Sequence, residues 1–212
     1  MDPRTLEDSS CPQGSVAYEV SGRRRKKADT MVTHVPAEAP GDERGALLSF
    51  VEAQRGAVRR SVLGLTEEQA ASRPSASGLS LSGLLKHLAE MELNWLRMAQ
   101  QRPNERQRTE ATWGDSFRLV EDETIPEVLA FWDGVAKETA EFIASVPSLD
   151  DTFPLPEAPW FPKDGAVSMR WLMLHLVEEV GRHAGHADII RESLDGKGAF
   201  DLIAEESGQS WG

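Results

Sequence analysis

Four long segments with a helical hydrophobic period dominate this sequence and restrict what it can fold into. They run from 42 to about 64, from 80 to about 101, from 125 to 145 and from 168 to 194. In each segment apolar residues recur every three or four positions, the period of an amphipathic α-helix. No stretch alternates convincingly as a strand would, and no repeat is present. The pattern predicts an all-α four-helix bundle, with a short further helix over 199–206.

The connections between these helices are unusually long. The second and third each take roughly 20 residues, which is enough for a crossover, so a simple up-down-up-down order is not required. The third connection is rich in proline and contains Trp160 and Phe161. These two aromatic residues are expected either to fold over the mouth of the bundle as a lid or to pack against helix ends.

Residues 1–40 differ from the rest because they are rich in Pro, Ser, Gly and charge and lack a hydrophobic period. This composition predicts a disordered N-terminal tail, followed by one bundle domain over 41–212. The tail contains a basic run at 23–27, which in isolation could suggest a nucleic-acid patch. A solvated tail, or an extension upstream of a chain that starts at Met31, is the favoured interpretation.

The charge and cysteine content of the chain argue against several classes of partner and site. There are 35 acidic and 23 basic side chains, and the net charge of −12 argues against partners such as nucleic acid and anionic membrane surfaces. Cys11 is the only cysteine, so an internal disulfide and a cysteine-based zinc site are both excluded. No apolar run approaches the roughly 18 residues of a membrane span, and the N-terminus lacks the order of a signal peptide. We therefore predict a cytoplasmic protein.

Three chemically active residues lie on the apolar stripes of two predicted helices. Glu179 and His183 are four residues apart, so both leave the same helix face one turn apart. His87 lies on the stripe of the second helix, and facing helices can bring such residues to one metal ion. Two imidazoles and a carboxylate suit zinc and leave a fourth position open. Spacing alone leaves a second interpretation, a network in which Glu179 accepts a hydrogen bond from His183.

Neighbouring histidines and tryptophans have two interpretations each. His186 is either a hydrogen-bonding partner of the site or an alternative ligand, and a partner or packing role is favoured. His175 either lines the cavity or is a satisfied core residue. Trp95, Trp132 and Trp171 lie on or near apolar faces, so a core position is favoured over a substrate cage.

Two motifs give the chain a family resemblance. Residues 178–188 (EEVGRHAGHAD), together with residues 78–88 (GLSLSGLLKHL), resemble the DinB/YfiT-like superfamily. The closer likeness is to its actinobacterial mini-circle-type branch, related to mycothiol-dependent maleylpyruvate isomerase. The resemblance implies a metal-binding four-helix bundle whose ligands, carried over by position, are His87, Glu179 and His183. Many members have histidine where this chain has Glu179, whereas that isomerase has glutamate.

The same resemblance implies a function. It predicts a metal-dependent enzyme, a mycothiol-type thiol S-transferase or isomerase that acts on a small electrophile. Zinc is the expected divalent metal, with nickel and iron left open, and mycothiol is the expected co-substrate. The alternatives are a metal-dependent hydrolase that uses the same open site and a non-catalytic metal-binding bundle. A homodimer is also expected, and the family resemblance is the sole basis for this expectation.

Overall fold

The computed structural model describes residue 35 and the ranges 42–159 and 161–208 of the 212-residue chain. These residues belong to one compact unit, Met31–Gly212. Almost all of the predicted tail, including the basic run and Cys11, lies outside the described residues. Trp160, half of the predicted aromatic pair, lies outside them as well.

Helices account for most of the described chain and confirm the predicted all-α four-helix bundle. The four long helices are α1 (Glu43–Arg60), α3 (Leu81–Ala99), α4 (Ile125–Ser145) and α5 (Met169–Asp195). Shorter elements are α2 (Glu67–Ala71), a 3-10 helix (Glu110–Phe117), and α6 (Ala199–Ser207), which was predicted over nearly the same residues. None of the helices in the described part of the chain has the length and apolarity needed to cross a membrane.

The starts of the long helices are encoded locally. Each begins after a side chain that accepts a backbone N–H of the first turn, and these N-caps are Asp42, Ser80, Thr124 and Ser168. At α4 the Glu127 side chain also accepts the Thr124 N–H, which completes the capping box. Helix α5 ends at Gly196, whose φ of 79° is easily adopted by glycine.

Contacts between side chains fix the helix directions. Helices α1 and α5 run parallel, since Glu43 pairs with Arg170 near their starts and Gln54 lies beside Gly181 further along. Helix α3 runs antiparallel to α5 and, on its other side, packs against α4. Helices α3 and α4 run in the same direction, since Lys86 pairs with Glu123 just before α4 and Arg97 pairs with Glu138 further along. The connection between them therefore crosses the length of the bundle.

The core consists of two apolar clusters with a polar layer at their junction. Along α1, Val58 belongs to one cluster and Val51 to the other, with Arg55 between them. The buried carboxylate of Glu92 occupies this level and accepts hydrogen bonds from Arg55, Trp132 and Thr139. On the outer side of Arg55, a cleft of about 430 Å³ separates α1 from α4.

Three local features differ from the expectation. Strands β1 (Thr152–Pro154) and β2 (Ala166–Ser168) pair antiparallel, and each is too short to show alternation in sequence. The connection between α3 and α4, for which the sequence predicts no helix, contains the 3-10 helix. Phe50 shares the helical period of α1, yet 47% of it is exposed because the apolar stripe is wider than the face that α1 buries.

Candidate metal centre

The structure brings together the three residues singled out from the sequence. The ring of His87 on α3 meets the ring of His183 on α5 edge to face, with 5.0 Å between centroids and 75° between planes. One potential ligand atom from each of His87, Glu179 and His183 lies within 4.8 Å of the others. We call these residues the ligand group. Antiparallel packing of α3 and α5 makes this convergence possible, because each helix alone contributes only one or two of the three.

A residue that the sequence did not single out covers one side of the ligand group. Phe117, the last residue of the 3-10 helix, stacks on His87 with 4.2 Å between centroids and an 18° tilt. This contact depends on Gly83, one turn before His87, because a Cβ there would lie 2.2 Å from the Phe117 carbonyl oxygen. The glycine in the 78–88 motif was the available signal that another segment approaches closely here.

Both histidines of the ligand group are neutral at pH 7. Burial, together with the nearby His183, lowers the pKa of His87 to about 4. Burial likewise lowers the pKa of His183 to about 4, assisted by His186 and Arg182. Neutral imidazole is the form that binds metal ions, since it keeps a nitrogen lone pair free.

The hydrogen bonds around the ligand group are incomplete. Within the described residues, His87 has ring contacts only and no hydrogen bond. His183 Nε2 is 3.8 Å from Glu179 Oε2, too long for the hydrogen bond that a purely polar network would need. Buried polar groups normally find partners, and a divalent cation would supply one for all three residues. Two imidazoles and a carboxylate therefore fit a zinc-type ion.

Comparison with known proteins agrees with this arrangement. The family model described as mycothiol-S-transferase matches residues 46–196, which contain the whole ligand group. The chain belongs to the mycothiol-S-transferase family. It is thereby a member of the DinB-like superfamily, as the two motifs predicted.

A solved structure supports the same fold. The bundle resembles the crystal structure of a conserved protein from Enterococcus faecalis, with a TM-score of 0.51 and 14% sequence identity. The match covers 71% of this chain and 96% of that one. At this identity the likeness concerns the fold alone. Among proteins with curated descriptions, no match was found.

In this mycothiol-S-transferase family member, His186 contacts the His183 ring of the ligand group. Its Nδ1 lies 3.3 Å from Nδ1 of His183. That contact uses one ring nitrogen of His183 and leaves Nε2 on the side of Glu179. Of the two roles considered from the sequence, the geometry favours His186 as a partner that orients His183 over a role as a ligand.

A second set of potential ligands, His175, Glu178 and Glu179, meets the same distance limit and shares Glu179 with the ligand group. This second set is less suited to binding a metal ion than the ligand group is. Glu178 already pairs with Arg182, and the ring of His175 stacks on Trp171. The ligand group has no such competing cation at its carboxylate among the described residues.

The tryptophans divide between core and surface. Trp132 is fully buried and Trp95 nearly so, as favoured from the sequence, whereas Trp171 is 37% exposed. Phe161, the described member of the predicted aromatic pair, packs edge to face against Trp95 at 6.2 Å. The proline-rich connection thus reaches the α3 and α5 side of the bundle.

Proposed function

We propose that this protein is a metal-dependent thiol S-transferase in which His87, Glu179 and His183 hold a divalent ion and a mycothiol-type thiol reacts with a small electrophile. Membership of the mycothiol-S-transferase family supports the thiol and the reaction class. The observation that carries the metal is the convergence of two neutral histidines and a carboxylate with no complete hydrogen-bond network of their own.

A site with three protein ligands is typical of a catalytic zinc ion, whereas a structural zinc ion usually has four. His87, Glu179 and His183 would hold a zinc ion with one position left open, and such an ion would lower the pKa of a thiol bound there. Zinc is the proposed ion because imidazole and carboxylate ligands suit it. A reduced thiol as co-substrate is consistent with a cytoplasmic protein, which forms part of the proposal.

The chain's own residues prepare the site in three ways. Burial keeps the imidazoles of His87 and His183 unprotonated, so that neither must release a proton on binding the ion. His186 limits rotation of the His183 ring, and Phe117 limits that of His87. A preorganised set of this kind loses less conformational entropy when it binds.

Metal analysis tests the ligand assignment. Purified protein is expected to contain about one zinc per chain, and His87→Ala, Glu179→Ala and His183→Ala should each remove it. His175→Gln is the matched control, a histidine on the same α5 face that should leave the zinc content unchanged. A protein that purifies without metal, or three variants that keep it, would contradict the assignment.

Thermal shift tests the thiol. The zinc-loaded protein is measured with mycothiol, bacillithiol and glutathione, and stabilisation by mycothiol alone is expected because a ligand that binds the native state raises the melting temperature. The His183→Ala variant should lose this shift. A zinc protein that responds to none of the three thiols would count against the transferase and favour hydrolysis at the same open position.

A further inference from the structure

Aromatic rings lie beside the ligand group and take no part in the site described so far. They belong to Trp95, Phe161, Trp171 and His175, which we call the aromatic cluster. Trp171 and His175 are stacked, with 4.9 Å between centroids and 14° between planes. Trp95 lies 4.7 Å from His175 and 5.2 Å from Trp171, and Phe161 closes the far side of Trp95.

The position of the aromatic cluster follows from the helix directions. His175 and Trp171 are one and two turns before Glu179 on α5, and Trp95 is about two turns after His87 on α3. Because α3 and α5 are antiparallel, both helices lead from the ligand group toward the cluster. One ring nitrogen of His175 lies within 4.8 Å of a Glu179 carboxylate oxygen, so the cluster begins directly beside the ligand group.

The aromatic cluster is partly open to solvent. Trp171 is 37% exposed and the side chain of His175 is 20% exposed, whereas Trp132 in the core is fully buried. The rings are nevertheless held in place, because His175 contacts both tryptophans and its Nδ1 lies 3.5 Å from Glu178. Ordered aromatic surface beside a reactive centre is what a planar apolar ligand binds, through burial of area and ring stacking.

We propose that the aromatic cluster binds an aromatic group of the electrophile, so that the preferred substrates are aryl compounds whose reactive carbon reaches the ligand group. This inference rests on the proposed function for its catalytic consequence. The binding of an aryl ligand is independent of that function. Trp171 is the residue that sets the preference, because it has the largest exposed surface in the cluster.

Two α-bromoketones provide a matched pair of probes. Phenacyl bromide and bromoacetone share the same reacting carbon and leaving group and differ in a phenyl ring against a methyl group. In each reaction the thiol sulfur forms a bond to the CH₂ carbon as the carbon–bromine bond breaks. Bromide leaves with the bonding electrons, and the thiol proton passes to the buffer. Dividing kcat/KM by the uncatalysed rate constant removes the intrinsic reactivity of each probe.

The zinc-loaded enzyme with mycothiol should prefer phenacyl bromide by at least about 10-fold on this corrected scale, because the phenyl ring adds apolar contact with the cluster. Trp171→Leu keeps apolar volume but removes the ring, so it should abolish most of that preference with little change for bromoacetone. Trp171→Phe should retain it. Trp113→Ala is the control, a tryptophan with 62% exposure on the 3-10 helix. Equal corrected rates for the two probes in the native enzyme would overturn the proposal.

A binding measurement separates failure of this inference from failure of the proposed function. Acetophenone has the aryl ketone without a leaving group, and its binding can be followed by NMR at the indole N–H of Trp171, identified by its absence from Trp171→Phe. Saturable perturbation of that resonance, competing with phenacyl bromide, supports the aryl site even if no transferase activity is found. No perturbation at millimolar acetophenone would contradict the site even if the enzyme turns over bromoacetone.

Discussion

Two polar clusters share helix α3, and they are built in opposite ways. The cluster around Glu92 is complete: both carboxylate oxygens accept hydrogen bonds, from Arg55, Trp132 and Thr139. In the ligand group, His183 contacts His186, whereas His87 has no hydrogen bond among the described residues. The first cluster satisfies a buried charge with donors from α1 and α4, whereas the second brings three potential ligand atoms within 4.8 Å of one another.

The difference distinguishes a polar cluster with a structural role from one that we propose binds a metal ion. A buried carboxylate with every lone pair used has no capacity left for a ligand, and its contribution is to fix how α1, α3 and α4 pack. Neutral imidazoles beside a carboxylate retain that capacity. The proposed site is thus distinguished by incomplete hydrogen bonding, since His183 is buried and His87 and Glu179 are half-buried.

The largest expected effect comes from breaking the complete cluster. Arg55→Met leaves the Glu92 carboxylate buried without its charged partner, which should lower the free energy of unfolding by about 3–5 kcal/mol. Urea denaturation of the metal-free protein measures this. The double variant Arg55→Met with Glu92→Met should recover most of the loss. A single variant as stable as the native protein would show that Glu92 does not depend on the pair.

Breaking the ligand group should affect metal binding instead of folding. His183→Ala removes one of three proposed ligands and should weaken zinc binding more than about 100-fold. This loss is larger than the one expected when a residue that only orients a ligand is replaced. The metal-free variant should unfold at nearly the same urea concentration as metal-free native protein. Competition with a zinc chelator gives the affinity. A large loss of stability in the metal-free variant would mean that His183 is mainly a packing residue.

A smaller effect is expected from the residue that stacks on His87. Phe117→Ala removes the ring that restricts His87, and zinc affinity should fall about 10-fold, as for other residues that orient ligands. Trp113→Ala on the same 3-10 helix is the control, since that side chain is largely exposed. The two variants should differ in the same chelator competition. Equal affinities would show that stacking does not orient the ligand.

The smallest effect is a pH dependence. In metal-free protein the histidines of the ligand group have a pKa of about 4, against 6.5 in the absence of the fold. The unfolded chain therefore binds protons that the folded chain does not, and stability is lost as pH falls from 6.5 toward 4, on the order of 1 kcal/mol per histidine at pH 5.5. Urea titrations should show a shallower slope in this window for His87→Gln.

Carboxylates titrate in a separate window. The hydrogen bonds and cations around Glu123 and Glu138 hold the pKa of each below 4.5, against the opposing effect of burial. The ionised carboxylates stabilise the folded protein above pH 4.5, and this stabilisation is lost as pH falls through their lowered pKa. If His87→Gln changes the pH profile only below 4.5, the histidine assignment is wrong.

Much of the fold was predictable because long helices repeat their pattern many times. The apolar stripes include Leu84 on α3 and Ile190 on α5, and both are buried. The helical period of α5 alone does not decide whether His175 or Leu176 faces inward, and packing against α1 and α3 buries Leu176. The paired strands were missed because three residues carry no readable period.

The ligand group was predictable for a different reason. Helical spacing pairs Glu179 with His183, and the apolar stripe of the second helix made His87 a candidate third ligand. The resemblance then favoured a metal site over a hydrogen-bonded network. Phe117 could not be found in this way, because its contact joins residues that are far apart in sequence and depends on a loop conformation. The charge partners of Glu92 were hidden for the same reason, since they come from two other helices.

Gly83 allows Phe117 to shield His87, and this shielding can be removed without substituting any of the three proposed ligands. The Phe117 carbonyl rests where a side chain at this position would be, so the shielding of His87 depends on the absence of a single carbon atom. Gly83→Ala would displace the 3-10 helix and admit water while His87, Glu179 and His183 remain. The position therefore allows the surroundings of His87 to be changed while the three residues proposed as ligands stay in place.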